Sequence, residues 1–168
     1  MNVLEPAHRN EMKICMDIIN EGKNFQREQG FIQWTDEYPN METIQSDIQN
    51  TKGYVLKVDD RIAGYMCIDF DGEPAYASIK GKWRTNEPYA VIHRISFRKE
   101  FRGMGLTDIA FQLIEELCIQ NGIHCIRVDT DISNHRMQHI LRKNGFKYCG
   151  KIMFQGSDRL AYDKCGLG

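Results

Sequence analysis

"FRGMGLTD", residues 101–108, sets two glycines, an arginine and a methionine between a strand-like run and a long amphipathic one. Glycine loses more freedom on ordering than any other residue, so a pair of them marks a backbone that turns sharply or is approached closely. Upstream, "YAVIHRISF" at 89–97 is rich in β-branched and aromatic residues and reads as a strand. Alternation places Tyr89, Val91, His93, Ile95 and Phe97 on one face and Ala90, Ile92, Arg94 and Ser96 on the other. Downstream, Leu106, Ile109, Ala110, Leu113, Ile114, Leu117 and Cys118 form a helical apolar stripe that Asn121 and Gly122 end. Strand, glycine loop and helix together aim main-chain N–H groups and the positive end of a helix dipole at one point, an arrangement suited to phosphate. Gly103 and Gly105 let a ligand touch the main chain, and Arg102 can add a charge-assisted contact. Position 108 is Asp, so the spacing is not GxGxxG, and no GK[ST] follows, so neither a dinucleotide fold nor a P-loop is matched.

Working outward, Met12, Cys15, Met16 and Ile19 recur at helical spacing, which predicts a helix over about 6–22 with Gly22 as its stop, and a second helix follows Pro39. Between them "GFIQWTDEYP" carries Trp34 and Tyr38, aromatics that plug the core or line a pocket. "YVLKV", a turn at Asp59 and Asp60, and "IAGYMCIDF" predict a β-hairpin. Gly72, Pro74, Gly81 and Pro88 mark strand ends and a loop before the strand at 89–97. After the long helix, "IHCIRVDT" reads as a buried strand, and Ser133 as an N-cap for a short helix through Met137, Ile140 and Leu141. "FKYCGKIMF" and "RLAYDK" supply two last strands around a turn at 156–158. The order α α β β β α β α β β is that of an α/β domain with a mixed sheet.

The chain's 168 residues suit one domain, here read as 1–168, with ordinary globular usage at 42% hydrophobic and 27% charged residues. A net charge of −1 gives no global drive toward nucleic acid or an anionic membrane, so neither is expected as a partner. Six cysteines are scattered without a CxxC pair and no secretory h-region precedes them, which reads as a reduced, cytoplasmic chain without a metal site. No apolar run approaches the ~20 residues that span a bilayer.

With these residues in view, the chain resembles the GNAT superfamily of acetyl-CoA-dependent N-acetyltransferases, whose pyrophosphate loop reads [QR]xxGx[GA] between the fourth strand and third helix. Here stand Arg102, Gly103, Met104, Gly105, Leu106 and Thr107, with Thr in place of the last small residue. A second motif agrees: Asn134 opening the fourth helix, Leu141 seven residues later, then Gly145 and Phe146. The resemblance covers about 53–164, and "GKWRTNEPYAVIHR" with "QWTDEYP" is similar to uncharacterised bacterial members. It implies a mixed, mostly antiparallel sheet with splayed parallel strands 4 and 5, flanked by about four helices, and acetyl-CoA (coenzyme A) as cofactor. In that fold the ligand's amides pair with a strand edge, here Ile95, Ser96 and Phe97, while Asn134 holds the neighbouring part of the cofactor or caps its helix.

Acetyl transfer to an amine needs a neutral nucleophile and a stabilised oxyanion. By resemblance Asp129, ending the fifth strand, matches an acidic general-base position, its alternative being a loop or cap hydrogen bond. His93 is the second candidate base, or else a packed histidine, and Glu73 and His135 are weaker ones. Arg94 binds an acidic substrate group or forms an internal ion pair. Leu141 stands where many relatives place a tyrosine as general acid, so an acyl-CoA sensor without efficient turnover is the alternative to a working enzyme. Trp34, Tyr38, Tyr76 and Trp83 are pocket-wall or core residues, and the acceptor is an amine-bearing small molecule or a peptide amino terminus. Edge strands near the C-terminus admit a homodimer.

Overall fold

The computed structural model describes residues 1–154 and 156–168. In chain order the elements are β1 (Asn2–Pro6), α1 (Met12–Glu28), α2 (Met41–Gln49), β2 (Gly53–Val58), β3 (Arg61–Asp69) and β4 (Lys80–Gly81). They continue with β5 (Ala90–Phe97), α3 (Leu106–Gln120), β6 (Cys125–Asp131), α4 (His135–Lys143), β7 (Lys147–Phe154) and β8 (Ser157–Cys165). The chain divides into two compact units, Met1–Ile68 with His93–Leu113, and Asp69–Ile92 with Ile114–Gly168. β5 is shared between them, its first residues in the second unit and the remainder in the first.

In the first unit the strand order is β1-β2-β3-β5. β1 pairs antiparallel with β2 in a register set by Leu4↔Leu56, and β2 with β3 through a bulge between Leu56 and Lys57. Sequence periodicity missed β1 because "NVLEP" offers two apolar residues and ends on Pro6. The predicted start of the first helix is really this strand's end and a 3-10 turn at Arg9–Glu11. α1 buries Cys15, Ile18 and Ile19, a spacing of one helical face, in a core with Trp34, Ile44, Val55 and Tyr65. Trp34 therefore plugs the core. α2 begins where Asn40 accepts from the Thr43 amide at 3.0 Å while Thr43 Oγ1 accepts from the Asn40 amide at 3.2 Å, a reciprocal cap.

Gly22 does not stop α1, which runs six residues further to Glu28. A Cβ built on Gly22 would collide with Ser96 Oγ and come within 2.8 Å of a Trp34 ring carbon. The glycine thus lets α1 lie against β5, where Ser96 Oγ donates to the Ile18 carbonyl at 3.0 Å. A similar device acts on β3, because a Cβ on Gly64 would sit 2.6 Å from the Phe97 ring.

β5 is not an evenly pleated strand. Arg94 has φ of +54°, the left-handed region that costs a non-glycine residue about 1 kcal/mol or more, so strict alternation cannot run through it. Its side chain is held by a buried fork: Nε donates to Asp47 Oδ2 at 2.9 Å, Nη2 to Asp47 Oδ1 at 2.6 Å, and Nη1 to the Tyr38 hydroxyl at 2.9 Å. Tyr65 donates to the same carboxylate at 2.7 Å. Of its two expected roles, Arg94 takes the internal ion pair. Burial opposes the guanidinium's charge, but the hydrogen bonds and charge of Asp47 outweigh it and hold the Arg94 pKa above its ordinary value.

In the second unit the order is β5-β6-β8-β7-β4. β5 pairs parallel with β6 at Ala90↔Ile126 and Val91↔Arg127, and the remaining pairs are antiparallel. Parallel strands thus sit in a mostly antiparallel arrangement, with β5 and β6 in the places of the expected fourth and fifth strands. β4, short and unforeseen, meets β7 where Gly81 faces Gly150, with φ of +143° and +147°. A Cβ on either glycine would strike the partner's backbone. The Tyr76, Trp83, Val91, Ile152 and Ala161 side chains form the unit's apolar cluster. Cys125 and Cys165, read from sequence as separate thiols, face each other across β6 and β8 with Cα atoms 4.1 Å apart and form a disulfide. The antiparallel register unites residues 40 positions apart, which spacing alone does not reveal. Among the described residues no helix is long and apolar enough to cross a membrane.

These features predict three stability effects. Gly22→Ala, although alanine favours helix by about 1 kcal/mol, lowers the melting temperature because overpacking against Ser96 and Trp34 costs roughly 1–3 kcal/mol. Asp47→Asn, which strands the Arg94 charge, lowers the denaturation free energy by about 3–5 kcal/mol. Burial pushes the Cys15, Cys118 and Cys149 thiols from 9.0 up to about 12. Burial, reinforced by Asp47 and Asp129, likewise raises the Tyr65 and Tyr76 hydroxyls above 10.0. The folded chain therefore holds more protons than the unfolded chain once pH passes these ordinary values. The associated stability is complete at neutral pH and falls as pH rises beyond about 9. Urea midpoints between pH 8 and pH 11 measure the decline, and Tyr65→Phe makes it shallower.

Candidate functional site

The glycine loop lies in the first unit, between a 3-10 turn at Lys99–Phe101 and α3. Phe101 and Leu106 are buried and pin its ends, while Met104 between them is 57% exposed. Gly103 has φ of +81° and Gly105 of +71°, conformations that glycine adopts without steric cost. No atom lies within 4 Å of a Cβ built on either one, so the glycines face open space. Their purpose is not internal packing, in contrast to Gly22 and Gly64. The Gly105 carbonyl accepts from the Ile109 amide at 3.3 Å, which makes Gly105 the residue before the first helical turn. The first turn's N–H groups have no carbonyl to meet within their own helix, and the helix dipole adds positive potential. The loop can therefore cradle a diphosphate by its main chain.

Arg102, expected to reach a phosphate, turns its side chain elsewhere: Nη2 donates to the Glu21 carbonyl at 3.0 Å and the guanidinium stacks 4.1 Å from the Phe25 ring centre. It ties the loop to α1. Thr107 and Leu106 occupy the first turn of α3, Thr107 half-buried and Leu106 buried. Ile95, Ser96 and Phe97 end β5 in the same unit, and the Ser96 hydroxyl is committed to α1. His93, half-buried, directly precedes Arg94 and its left-handed backbone.

In the second unit Asp129 lies near the end of β6, its side chain 4% exposed. Arg159 Nη1 donates to its Oδ1 at 3.1 Å, and the Tyr76 hydroxyl donates to Oδ2 at 2.7 Å. Its partners are thus a cation on β8 and a tyrosine 53 residues away, not the neighbouring Thr130 or Ser133. Tyr76 sits in a 3-10 turn, Pro74–Ser78, started by Glu73, whose Oε2 accepts from the Ala75 amide at 3.2 Å. Burial and then the Asp129 charge raise the Tyr76 pKa, so its hydroxyl keeps its proton and remains a donor to Asp129.

Asn134, and not Ser133, is the N-cap of α4: its Oδ1 accepts from the Met137 amide at 3.1 Å. The Ser133 amide donates to Asp131 Oδ1 at 2.8 Å in the preceding turn. Leu141, 1% exposed, faces the core from α4. The sequence reading did not find Arg159, Asp47 or Arg127. Their only local signals were an acid on the apolar stripe of α2 and cations within strand-like runs, each of which demands a distant partner.

The model of the acetyltransferase (GNAT) family matches residues 19–146. A GNAT-family acetyltransferase of Streptococcus agalactiae has a similar structure, with a TM-score of 0.90 and 33% identity over 99% of this chain and 96% of its own. One from Listeria monocytogenes follows at 0.78 and 21% identity, over 98% of this chain and 94% of its own. The fold is also shared by an aminoglycoside acetyltransferase in complex with coenzyme A, at 0.73 and 16% identity, covering 99% of this chain and 95% of the other. A search of the curated proteins by sequence finds no match. From the family match across most of the chain and the likeness at 33% identity, the chain belongs to the acetyltransferase (GNAT) family.

Proposed function

We propose that the protein transfers the acetyl group of acetyl-CoA to a primary amine, carried by a small molecule or a peptide amino terminus. Membership of the family implies the donor. The observation that carries the cofactor assignment is the bend at Gly103 and Gly105, left-handed at both glycines and open around both. When bound there, acetyl-CoA supplies an acyl thioester activated toward amines. The main chain of Arg102, Gly103, Met104, Gly105, Leu106 and Thr107 would hold its diphosphate. The edge at Ile95, Ser96 and Phe97 would hold its amides, and Asn134 would contribute the side-chain amide left over from capping.

Asp129 and His93 are the groups we assign to proton removal from the acceptor. Arg159 and Tyr76 hold the Asp129 carboxylate in place, and each oxygen retains a second lone pair for an acceptor proton. Leu141 offers no proton, so the leaving thiolate takes one from water or from another group. That same buried leucine favours the second reading, an acyl-CoA sensor that binds without turnover.

An amine panel with thiol detection separates the two, since saturable coenzyme A binding without thiol release from any amine selects the sensor. Gly105→Val, which forces a β-branched residue into a left-handed conformation at an exposed bend, weakens coenzyme A binding at least tenfold by calorimetry and lowers the melting temperature by only a few degrees, the fold persisting. Unchanged affinity contradicts the cradle. Asp129→Asn lowers kcat by about 100-fold or more while leaving coenzyme A affinity alone. Full activity in that variant, with loss in His93→Ala, transfers the role to His93.

A further inference from the structure

A cavity of about 520 Å³ opens within the second unit, and its lining has a composition that packing does not require. Tyr76, Trp83 and Tyr89 form one wall, Arg127 belongs to the lining, and Asp71 and Glu73 bring negative charge to it. Arg127 rises from β6, two residues before Asp129 and on the same face of the strand. Its guanidinium is stacked 4.0 Å from the Tyr89 ring centre and 4.5 Å from that of Trp83. Nη2 donates to the Thr85 carbonyl at 2.7 Å, but Nε, buried, has no hydrogen-bond partner among the described residues.

The acid opposite Arg127 in the β6–β8 register, Asp163, is already taken by Arg84, whose Nε donates to it and whose Nη2 reaches its carbonyl at 3.2 Å. Arg127 is 7% exposed and yet carries a full charge on a planar group with five donors. Burying such a charge without an anion is costly, and a planar oxyanion is its natural complement. Aromatic walls suit an apolar body, and the carboxylates of Asp71 and Glu73 suit a ligand that also bears a cation. Tyr76 connects the wall to Asp129 by its 2.7 Å hydrogen bond, so the assigned base, though not itself a lining residue, is one hydrogen bond from the lining.

We propose that this cavity selects the acceptor as a small amino acid-like molecule, its carboxylate on Arg127, its apolar side chain against Tyr76, Trp83 and Tyr89, and its amine toward Tyr76 and Asp129. This rests on the amine-acetylation reading for the fate of the amine, but not for the binding of the carboxylate. The transfer forms an amide bond to the amine nitrogen and breaks the thioester of the donor, the proton leaving nitrogen for the base and the thiolate leaving with the coenzyme.

Matched probes test it on the wild-type protein: phenylalanine and leucine, their carboxamides, and 3-phenylpropionate, which keeps the carboxylate without the amine. Calorimetry without coenzyme A is expected to show both amino acids binding, the carboxamides at least tenfold weaker, and phenylpropionate retained. Thiol release with acetyl-CoA is expected to follow the same preference. Arg127→Met removes the preference between acid and amide, and Arg127→Lys restores part of it. If both variants misfold, Ala77→Trp fills the cavity from an exposed lining position and abolishes binding of all probes. Equal affinity for acids and amides, or no binding of either, overturns the inference. Thiol release from amines without any carboxylate preference overturns it while leaving the acetyltransferase reading in place. Carboxylate-dependent binding without thiol release does the reverse.

Discussion

The first unit depends on one buried ion pair, Arg94 with Asp47. It fixes a strand residue in a backbone conformation that residues with a side chain ordinarily avoid, and the fork geometry supplies the compensation. Because Asp47 sits on α2 and also receives the Tyr65 hydroxyl, helix, β3 and β5 are joined at one carboxylate. A pair this enclosed contributes little net stability relative to a packed apolar substitute. Its value lies in geometry. It holds the left-handed backbone of Arg94 within β5, immediately before residues 95–97 and the glycine loop that follows.

Each unit buries a carboxylate, and the two are satisfied alike. Asp47 and Asp129 are both buried, and each is matched by an arginine and a tyrosine hydroxyl. Arg127 differs from Arg94 and Arg159, being a buried cation whose surroundings are aromatic rings and one carbonyl. Arg102 also rests on a ring and a carbonyl, but Arg127 adds a buried Nε without a partner among the described residues and a place beside a cavity, and that combination points to a ligand.

How much was legible in the sequence follows the range of the interactions involved. The glycine loop, the stripe of α3 and the hairpin at Asp59 and Asp60 depend on residues a few positions apart, and the structure has them as read. The same holds for the family resemblance, carried by spacings within 102–107 and 134–146. Gly22 misled because its reason is a contact with Ser96, 74 positions onward, where local rules see only a helix stop. β1 escaped because an edge strand with its own proline makes its pattern only against β2. The alternation read for β5 fails at Arg94 because a partner on another element overrides the strand's preference. Tyr76 and Trp83 were left between wall and core, and they are both at once: nearly enclosed, yet lining a cavity.

The two tryptophans are distributed one to each unit, Trp34 in the α1 core and Trp83 against the Arg127 guanidinium. Intrinsic fluorescence is thereby divided between two independent local reporters. Emission from the indole beside a fixed positive charge senses an anion arriving there, while the other indole packs in a cluster that lacks that cation. The chain carries its own spectroscopic contrast, without dye or label.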